Sequence, residues 1–532
     1  MRDTETLGSV ETTRIEHFDV LIVGAGISGI GAAYHLTKQA PGKSFVVLDA
    51  QESFGGTWLT HKYPGIRSDS DLYTFGYRFK PWIGTPIATG AEIRKYMGEV
   101  IEENGLSRHI RYGHKITKAS WSSAENLWTV EATRTDSGLE SGLESGPDSG
   151  PDSGEQLRFT CNFLWMCQGY YRHDEGYTPD WEGLDDFKGR IVHPQTWPDD
   201  LDLKGKRVVV IGSDATAATL IPSIADETAH VTMLQRSPTY FVPGRNVDDM
   251  ADQLRDLEIP EEWIHEIVRR QRLKMGQLFT NMAMQYPEAA KEQLLAGVSA
   301  IIGPELTEKH FTPSYRPWRQ RIAFVPEGDI FHKVKEGKAS VVTDEIERFT
   351  EKGILLKSGQ ELEADVIITA TGFKLSVLGD IPFVVDGQPV DFAKTVTYRG
   401  MMFTGVPNMV WVFGYFRASW TLRADIVADF VCRLVKHMDQ RQAKKVEVAL
   451  RPEDAGMALE SWIDPENFNP GYLMRSMHLM PQRGAKPEWQ HTQDYWRERN
   501  ELPLIDLDGA EFVYDDRVAG AVVTPERIEQ PA

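Results

Sequence analysis

The sequence is poor in cysteine, with only Cys161, Cys167 and Cys432 in 532 residues. No two of them form a C-x-x-C pair, so a disulfide framework, a cysteine zinc site and a dithiol redox centre are all disfavoured. No run reaches the roughly 18 apolar residues of a membrane-spanning helix. The leader before Val20 is acidic and polar, unlike a signal peptide. We therefore expect a cytoplasmic protein that is not integral to a membrane.

Positive charge is outnumbered, since 58 Lys and Arg residues against 78 Asp and Glu residues give a formal net charge of −20 at pH 7. This balance disfavours nucleic acid and anionic membrane surfaces as partners. No motif indicates a protein partner. At 41% hydrophobic and 26% charged residues, the chain is composed like an ordinary globular protein. Its length favours roughly two to four domains.

One segment cannot contribute to a core. Between 137 and 154 the chain repeats the units SGLE, SGLE, SGPD and SGPD. Small, acidic, Pro-containing repeats do not bury enough apolar surface to offset the entropy of ordering. Alternating apolar and polar residues begin at Trp128 and at Leu157, on either side of the repeat, and predict two strands of a hairpin. We expect a disordered acidic loop over 134–155.

The rest of the chain is typical of βαβ units. Apolar runs at Phe18–Val23 and Phe45–Leu48 flank a helical pattern, and Arg207–Ile211 and His230–Leu234 repeat the arrangement. The spacing over 246–312 is helical throughout. The pattern predicts an α/β fold with two Rossmann-like dinucleotide-binding domains and a helical insertion in the second.

The first glycine motif, Gly24-Ala-Gly-Ile-Ser-Gly29, lies between a predicted strand and helix. Gly24 allows the tight turn, Gly26 lets a pyrophosphate approach the backbone, and Gly29 lets the helix pack on the strand. Asp49 ends the next strand, where an acid accepts ribose hydroxyls. These residues predict a dinucleotide site.

The second motif, Gly212-Ser-Asp-Ala-Thr-Ala217, stands in the same context. Arg236 ends the following strand, where an arginine suits a 2′-phosphate and hence NADPH. Asp214 replaces the glycine of closest approach and brings a negative charge towards a dianion. The site is therefore either a working NADPH site or a weakened one. Two dinucleotide sites suggest a flavin that is reduced by a nicotinamide.

A third set of residues resembles a known family. Gly55–Trp58, Tyr63–Gly65 and Asp69 resemble the flavin-side signature of the Baeyer–Villiger monooxygenases, which are class B flavoprotein monooxygenases. The segment Phe187–Pro198 matches their F-x-G-x-x-x-H-x-x-x-W-P fingerprint at every fixed position. The fixed positions are Phe187, Gly189, His193, Trp197 and Pro198. The segments 63–71, 235–240 and 418–422 are similar to the mycobacterial ethionamide-activating branch of FAD-containing monooxygenases.

The resemblance implies a specific chemistry. Members hold FAD, bind NADPH and use O2 to form a flavin peroxide, which inserts oxygen next to a ketone carbonyl and gives an ester. The same oxidant also oxidises thioethers and thioamides. The implied substrate is a small ketone or sulfur compound, and the implied enzyme is an NADPH-dependent FAD-containing monooxygenase.

The resemblance also assigns the catalytic residues. The family's catalytic arginine matches Arg321, and the carboxylate that orients it matches Asp69. A guanidinium suits the task because it keeps its charge beside an anionic oxygen. Two alternatives stay open, since three arginines fall in six residues: a solvated basic stretch, or a register in which Arg319 takes the role.

His193 has three possible roles. In the family its position supports domain movement and NADPH positioning. Direct proton transfer and a purely structural role are the alternatives. Spacing among the other histidines indicates no metal site.

These expectations give a full assignment of domains and contacts. The FAD-binding domain takes 1–168 and 373–532, the fingerprint linker 169–204, and the NADPH-binding domain 205–372. FAD contacts are expected from Gly24, Gly26, Ser28, Gly29, Asp49, Gly56, Thr57, Trp58, Asp69 and Ile116. NADPH contacts are expected from Arg67, Ser68, Gly212, Ser213, Ala215, Thr216, Ala217, Arg236 and Ser237.

Three other functions remain open. A sulfur- or nitrogen-oxygenating flavin monooxygenase would share every motif. A disulfide reductase would also pair FAD with NADPH, but the missing C-x-x-C argues against it. A flavin protein with impaired turnover is the third, and Asp214 is its only support.

Overall fold

A computed structural model describes residues 15–134 and 154–515. Within these ranges the chain forms two largely parallel sheets, each flanked by helices. Each sheet places a glycine turn at the carboxyl end of a central strand. The predicted α/β class with two Rossmann-like units is confirmed.

The α-helices alternate with the strands in the two sheets and cluster in the insertion of the second. In chain order they are α1 Ile27–Gln39, α2 Thr57–Thr60, α3 Leu72–Phe75, α4 Gly90–Glu103, α5 Ala215–Ile224, α6 Asp249–Asp256, α7 Glu261–Gln285, α8 Pro287–Ile302, α9 Pro304–His310, α10 Asp329–Lys335, α11 Trp420–Arg441, α12 Gly471–Ser476 and α13 Tyr495–Glu501.

The first sheet has nine strands in the described ranges. In spatial order they are Gln388–Pro389, Phe383–Val385, His114–Ser122, Leu127–Arg134, Glu155–Met166, Glu16–Val23, Phe45–Leu48 and Ile110–Arg111, with Met409–Trp411 paired to Glu155–Met166. The last residues of Glu16–Val23 are buried on both faces, because α1 and α11 cover one side and a layer of aromatic side chains covers the other.

The predicted hairpin around the acidic repeat is confirmed in its strands. Leu127–Arg134 and Glu155–Met166 pair antiparallel, and Arg134 lies opposite Glu155 at the open end. The loop predicted over 134–155 lies, from 135 to 153, outside the described residues.

The second sheet is parallel throughout. Its spatial order is Ala339–Thr343, His230–Gln235, Arg207–Ile211, Val366–Thr369 and Arg190–Val192. The edge strand Arg190–Val192 belongs to the fingerprint segment. Fingerprint residues therefore form part of this sheet. Apolar clusters on both faces of the sheet bury the central strands.

Helices α6 to α9 fill the region between the parallel pair Phe241–Gly244 and Ala323–Pro326. The helical spacing over 246–312 is thus confirmed. Short antiparallel sheets complete the fold. They are Ile346–Thr350 with Gly353–Leu356 and Glu361–Glu363, Tyr171–Gly176 with Phe373–Leu375, Thr397–Tyr398 with Met402–Phe403, Val446–Val448 with Phe512–Tyr514, and Leu459–Ser461 with Gln482–Gly484.

Candidate active site between the two sheets

A large cleft lies between the two sheets. Its volume is about 1230 Å³, which is large for a ligand pocket. Both glycine turns open into it, since the carboxyl ends of the parallel strands of each sheet face the cleft. This is the edge at which α/β sheets bind ligands.

The first turn requires glycine at its start. Gly24 has a φ of +99°, and a Cβ there would lie 2.7 Å from the carbonyl oxygen of Cys167. Gly29 packs against the same turn, because its Cβ would lie 1.8 Å from the Gly24 oxygen. No side chain caps the N-terminus of α1, whose N-cap residue is Gly26. Backbone N–H groups at this end are left for a ligand.

Asp49 lies at the end of the second strand, as its spacing predicts, and it also binds the turn. One carboxylate oxygen accepts a hydrogen bond from the Ala25 amide at 2.5 Å, and the other accepts from the Gln51 amide at 2.8 Å. Burial raises the pKa of Asp49, although these two hydrogen bonds act against the shift.

The second turn has the same backbone but a different N-terminus. Gly212 has a φ of +129°, and its Cβ would lie 2.2 Å from the Ala370 oxygen. Asp214 takes the N-cap of α5, where its carboxylate accepts from the Ala215 amide at 2.8 Å. In α5 a carboxylate therefore accepts from a backbone N–H group whose counterpart in α1 has no side-chain cap.

The backbone at Asp214 is ordinary. Its φ of −87° and ψ of −173° nearly repeat the −76° and −173° of Gly26. The aspartate departs from glycine only in its side chain. Loss of hydration between the cleft walls raises the pKa of Asp214, although the Ala215 amide and the charge of Arg321 oppose the shift.

Arg236 stands at the mouth of the cleft near this turn. Its guanidinium is exposed and has no hydrogen-bond or ion-pair partner within residues 15–134 and 154–515. Ser213 lies deeper, where its hydroxyl pairs with the Thr239 hydroxyl at 3.0 Å. An unpartnered cation with hydroxyl groups beside it suits a phosphate monoester.

Arg321 and Asp69 meet in the cleft between the two turns. The Arg321 Nε donates to Asp69 Oδ2 at 2.5 Å, and an Nη donates to Oδ1 at 2.9 Å. The remaining guanidinium N–H groups reach the Phe416 carbonyl at 3.0 Å and the Ser70 hydroxyl at 3.2 Å. Four hydrogen bonds to three residues hold the guanidinium in place.

Arg321 and Asp69 each stabilise the charged form of the other. Burial alone would raise the pKa of Asp69, but the charge and hydrogen bonds of Arg321 outweigh it and lower the pKa. For Arg321, burial alone would lower the pKa, but Asp69 raises it well above its usual range. Both side chains are therefore charged at neutral pH.

The neighbouring arginines lie behind the cleft wall. Arg319 donates to the Glu466 carboxylate at 2.9 Å, and Arg316 donates to the Asn467 carbonyl at 2.9 Å. Neither lines the cleft, whereas Gln320 and Arg321 do. The geometry favours Arg321 over the register that places the role on Arg319.

His193 is held by the backbone on both ring nitrogens. Nδ1 accepts from the Gln195 amide at 3.1 Å, and Nε2 lies 3.2 Å from the Gly372 carbonyl, to which it donates. Burial lowers the pKa of His193, although the bond to Gly372 acts against the shift. The ring is neutral and does not line the cleft. It ties the fingerprint to the returning strand and has no free nitrogen for proton transfer.

The other fingerprint residues are structural. Phe187 is buried beside the second sheet, and Trp197 packs at the opposite face. A Cβ at Gly189 would lie 2.4 Å from both the Asp365 oxygen and the Phe187 ring. Pro198 follows the 3₁₀ turn Pro194–Thr196.

Most predicted contact residues line the cleft, and a few do not. Ser68 is buried, and its hydroxyl accepts from the Ala88 amide, so it holds this loop, and its contact with NADPH stays a prediction. Ala217 is buried inside α5. Arg67 lines the cleft, but it is paired with Asp329 at 2.6 Å. The predicted residues that line the cleft directly are Gly24, Gly26, Ser28, Asp49, Gly56, Thr57, Trp58, Arg67, Asp69, Ile116, Gly212, Ser213, Ala215, Thr216, Arg236, Ser237 and Arg321.

Sequence reasoning missed the aromatic wall beside Arg321. It consists of Tyr170, Phe413, Phe416, Trp420, Phe468 and Tyr472. These residues come from three distant segments, and each alone is indistinguishable from a core aromatic residue. Only the fold brings them together.

Residues 15–134 and 154–515 contain no helix with the length and apolar character that a bilayer span requires. They contain no group of three or more His, Cys, Asp or Glu side chains that could hold a metal ion.

Comparison with known proteins identifies relatives over nearly the whole chain. A family model described as an NAD(P)-binding Rossmann-like domain matches residues 22–81. The FAD-containing monooxygenase EthA of Mycolicibacterium smegmatis is 44% identical over 484 residues, which cover 90% of this chain and 94% of that protein. EthA of Mycobacterium tuberculosis H37Rv is 45% identical over 492 residues, which cover 91% and 94%. An oxidized steroid monooxygenase bound to NADP shares the fold, with a TM-score of 0.71 at 22% identity over 94% of this chain and 99% of that one.

Proposed function

The chain belongs to the EthA-like FAD-containing monooxygenases, a branch of the class B flavoprotein monooxygenases, and we propose that it uses NADPH and O2 to convert ketones to esters. The arrangement of Arg321 and Asp69 between two dinucleotide turns carries this proposal. The ketone specificity rests on the fingerprint at Phe187–Pro198, and sulfur oxidation is a further activity of the same site.

The residues of the first turn fit FAD. The uncapped N-terminus of α1 offers N–H groups to the pyrophosphate, and the Cα atoms of Gly26 and Gly56 face each other closely enough that a Cβ on Gly56 would lie 3.2 Å from Gly26. Asp49 keeps lone pairs for ribose hydroxyls besides those that bind the turn. When bound, FAD accepts a hydride from the nicotinamide and activates O2.

The residues of the second turn fit NADPH at its phosphate end. Arg236 has no partner among the described residues and would bind the 2′-phosphate, with Ser213 and Ser237 nearby. At the pyrophosphate end Asp214 competes for the Ala215 amide. We infer that NADPH binds and that Asp214 lowers its affinity.

Arg321 stabilises negative charge on the reacting oxygen atoms. Its guanidinium keeps its charge at every working pH, and Asp69, Ser70 and the Phe416 carbonyl fix its plane. Preorganised charge of this kind lowers a barrier because little reorganisation is needed during the reaction. Asp69 is the positioning residue of the pair.

The aromatic wall excludes water from this part of the cleft. Phe416 stacks on Phe468 at 4.6 Å, and Phe413 contacts Trp420 at 5.4 Å. Apolar surface beside a fixed cation accommodates a ketone with an apolar skeleton. Charge interactions with Arg321 are stronger in such a site than in water.

The experiment that tests this proposal starts without oxygen. Purified protein is mixed anaerobically with NADPH or NADH while the flavin absorbance is followed. Bleaching that is much faster with NADPH supports the cofactor assignment. A panel of ketones and thioethers is then incubated in air with NADPH. Ester products support the proposal, sulfoxides alone limit the activity to sulfur, and a flavin that stays oxidised contradicts it.

A further inference from the structure

Two tyrosines of the aromatic wall differ from the other aromatic residues around them. Tyr170 and Tyr472 both line the cleft, and the charge of Arg321 reaches both phenol groups. Neither hydroxyl has a hydrogen-bond partner in the part of the chain that the structure describes. Tyr415, by contrast, lines the same cleft but donates its hydroxyl to Glu498 at 2.5 Å.

The rings of this pair are held on several sides. Tyr170 stacks on Trp420 with centroids 5.1 Å apart and contacts Phe413 at 5.4 Å. The two tyrosine rings are 5.9 Å apart. Trp420 is itself anchored, since its Nε1 donates to the Ser28 hydroxyl at 2.8 Å. These ring contacts restrict the rotation of both tyrosine side chains, so their hydroxyl groups stay in place.

Helix α12 carries Tyr472 and is tied to the strand after the second sheet. Arg475 lies over the Tyr177 ring at 3.5 Å and donates to the Phe373 carbonyl at 3.5 Å. Since Arg475 is one turn from Tyr472, these contacts set the position of the phenol. The Tyr472 side chain is therefore held in position at the cleft before a ligand binds.

Both phenols stay protonated under working conditions. Burial raises the pKa of Tyr170 to about 12 and that of Tyr472 well above its usual value. The charge of Arg321 opposes both shifts, while Asp69 and Asp214 add to them. A neutral phenol is a good hydrogen-bond donor, and a carbonyl oxygen has two lone pairs to receive two donors.

We propose that the hydroxyls of Tyr170 and Tyr472 bind the carbonyl oxygen of the substrate and stabilise it as it becomes negatively charged. This inference rests on the proposed function. When an oxygen nucleophile bonds to the carbonyl carbon, the π electrons move to the carbonyl oxygen, and the two O–H donors hold that charge without giving up their protons. A thioether has no such oxygen, so the pair selects carbonyl substrates over sulfides.

The test compares benzyl methyl ketone with benzyl methyl sulfide, in which a sulfur atom replaces the carbonyl group. Tyr170→Phe, Tyr472→Phe and the double variant remove the hydroxyls and keep the rings. Tyr34→Phe is the matched control, because Tyr34 is also half-buried and stacked, on Phe79, and lies outside the cleft. The values measured are kcat/KM for both probes, the anaerobic rate of flavin reduction, and the Kd for NADP⁺.

Each single variant should lower kcat/KM for the ketone about 10- to 100-fold, as expected for loss of a donor to a developing oxyanion. The sulfide value, flavin reduction and the Kd for NADP⁺ should change less than about 2-fold, as in Tyr34→Phe. Equal losses for ketone and sulfide would overturn the inference in favour of packing, and a changed Kd for NADP⁺ would overturn it in favour of a cofactor contact.

The failures of the two proposals are distinguishable. A parent protein that converts the ketone to an ester, with tyrosine variants that lose the ketone and sulfide activities equally, overturns this inference and leaves the proposed function intact. A parent protein that converts neither probe, despite a flavin reduced by NADPH, refutes the proposed function and this inference together.

Discussion

Removing the charge of Asp214 should tighten NADPH binding. The carboxylate accepts from the Ala215 amide at 2.8 Å, and a pyrophosphate oxygen would approach the same N–H group. The two negative charges would then lie about 5 Å apart, which costs about 1–3 kcal/mol at an effective dielectric constant of about 20–80. That free energy corresponds to a Kd about 5- to 150-fold lower in the variant.

Two variants separate charge from shape. Asp214→Asn keeps the volume and can still cap α5 with its amide oxygen, whereas Asp214→Gly also frees the Ala215 amide. Asp174→Asn is the control, because Asp174 is exposed and lines another part of the same cleft. It lowers the negative charge of the cleft equally.

The affinity should also depend on pH. The pKa of Asp214 is raised, chiefly by lost hydration, and a bound pyrophosphate raises it further. The carboxylate becomes ionised as the pH rises through this pKa, so the Kd for NADPH should rise with pH in the parent. Dividing the Kd of the parent by the Kd of Asp214→Asn cancels the contribution of the 2′-phosphate, which titrates equally in both complexes. That ratio should fall towards one at low pH.

Isothermal titration of the oxidised protein with NADP⁺, which carries the same pyrophosphate and 2′-phosphate as NADPH, measures the effect on the Kd without turnover. An Asp214→Asn protein whose Kd matches the parent at every pH would refute the electrostatic reasoning. It would show that the side chain moves aside at no cost. A parent that does not bind NADP⁺ while Asp214→Gly does would identify a flavin protein with impaired turnover.

Three further substitutions test other parts of the site. Arg236→Ala should raise the Kd for NADPH about 10- to 100-fold, because it removes a charge-assisted bond to the 2′-phosphate. The Kd for NADH, measured by the same titration, should not change. Equal losses of affinity for both nucleotides would contradict the assignment. Gly24→Ala should abolish FAD retention, measured as flavin per protein, since its Cβ would lie 2.7 Å from the Cys167 oxygen at a φ of +99°; a fully yellow variant would refute this. Glu498→Ala should lower the free energy of unfolding by about 3–5 kcal/mol in denaturant titration, because it leaves the fully buried Arg423 unpaired; a loss below about 1 kcal/mol would contradict the argument.

The local elements of the fold were predictable because their signals are local. A strand, a glycine turn and a helix follow one another within about 20 residues in both units, so periodicity and glycine spacing suffice. The pairing of Arg321 with Asp69 spans 252 positions. It could be expected only from the resemblance to a family, since spacing carries no information about such a contact.

Other features depend on tertiary context that the sequence does not display. The extended backbone at Asp214 follows from the N-cap geometry of α5, which the residue types alone do not show. His193 resembles a catalytic residue until its two ring nitrogens are found bonded to Gln195 and Gly372. The aromatic wall is assembled from separate segments, whose apolar character predicts burial and not a binding surface.

The most direct test of the proposed monooxygenase reaction is a turnover of benzyl methyl ketone under ¹⁸O2 by the parent and by Arg321→Ala. We expect one labelled oxygen atom per ester molecule in the parent. In the variant, NADPH oxidation should continue, ester should form at least about 100-fold more slowly, and hydrogen peroxide should be released in place of product. Ester at the parent rate from Arg321→Ala, or ester without label from the parent, would contradict the proposed reaction.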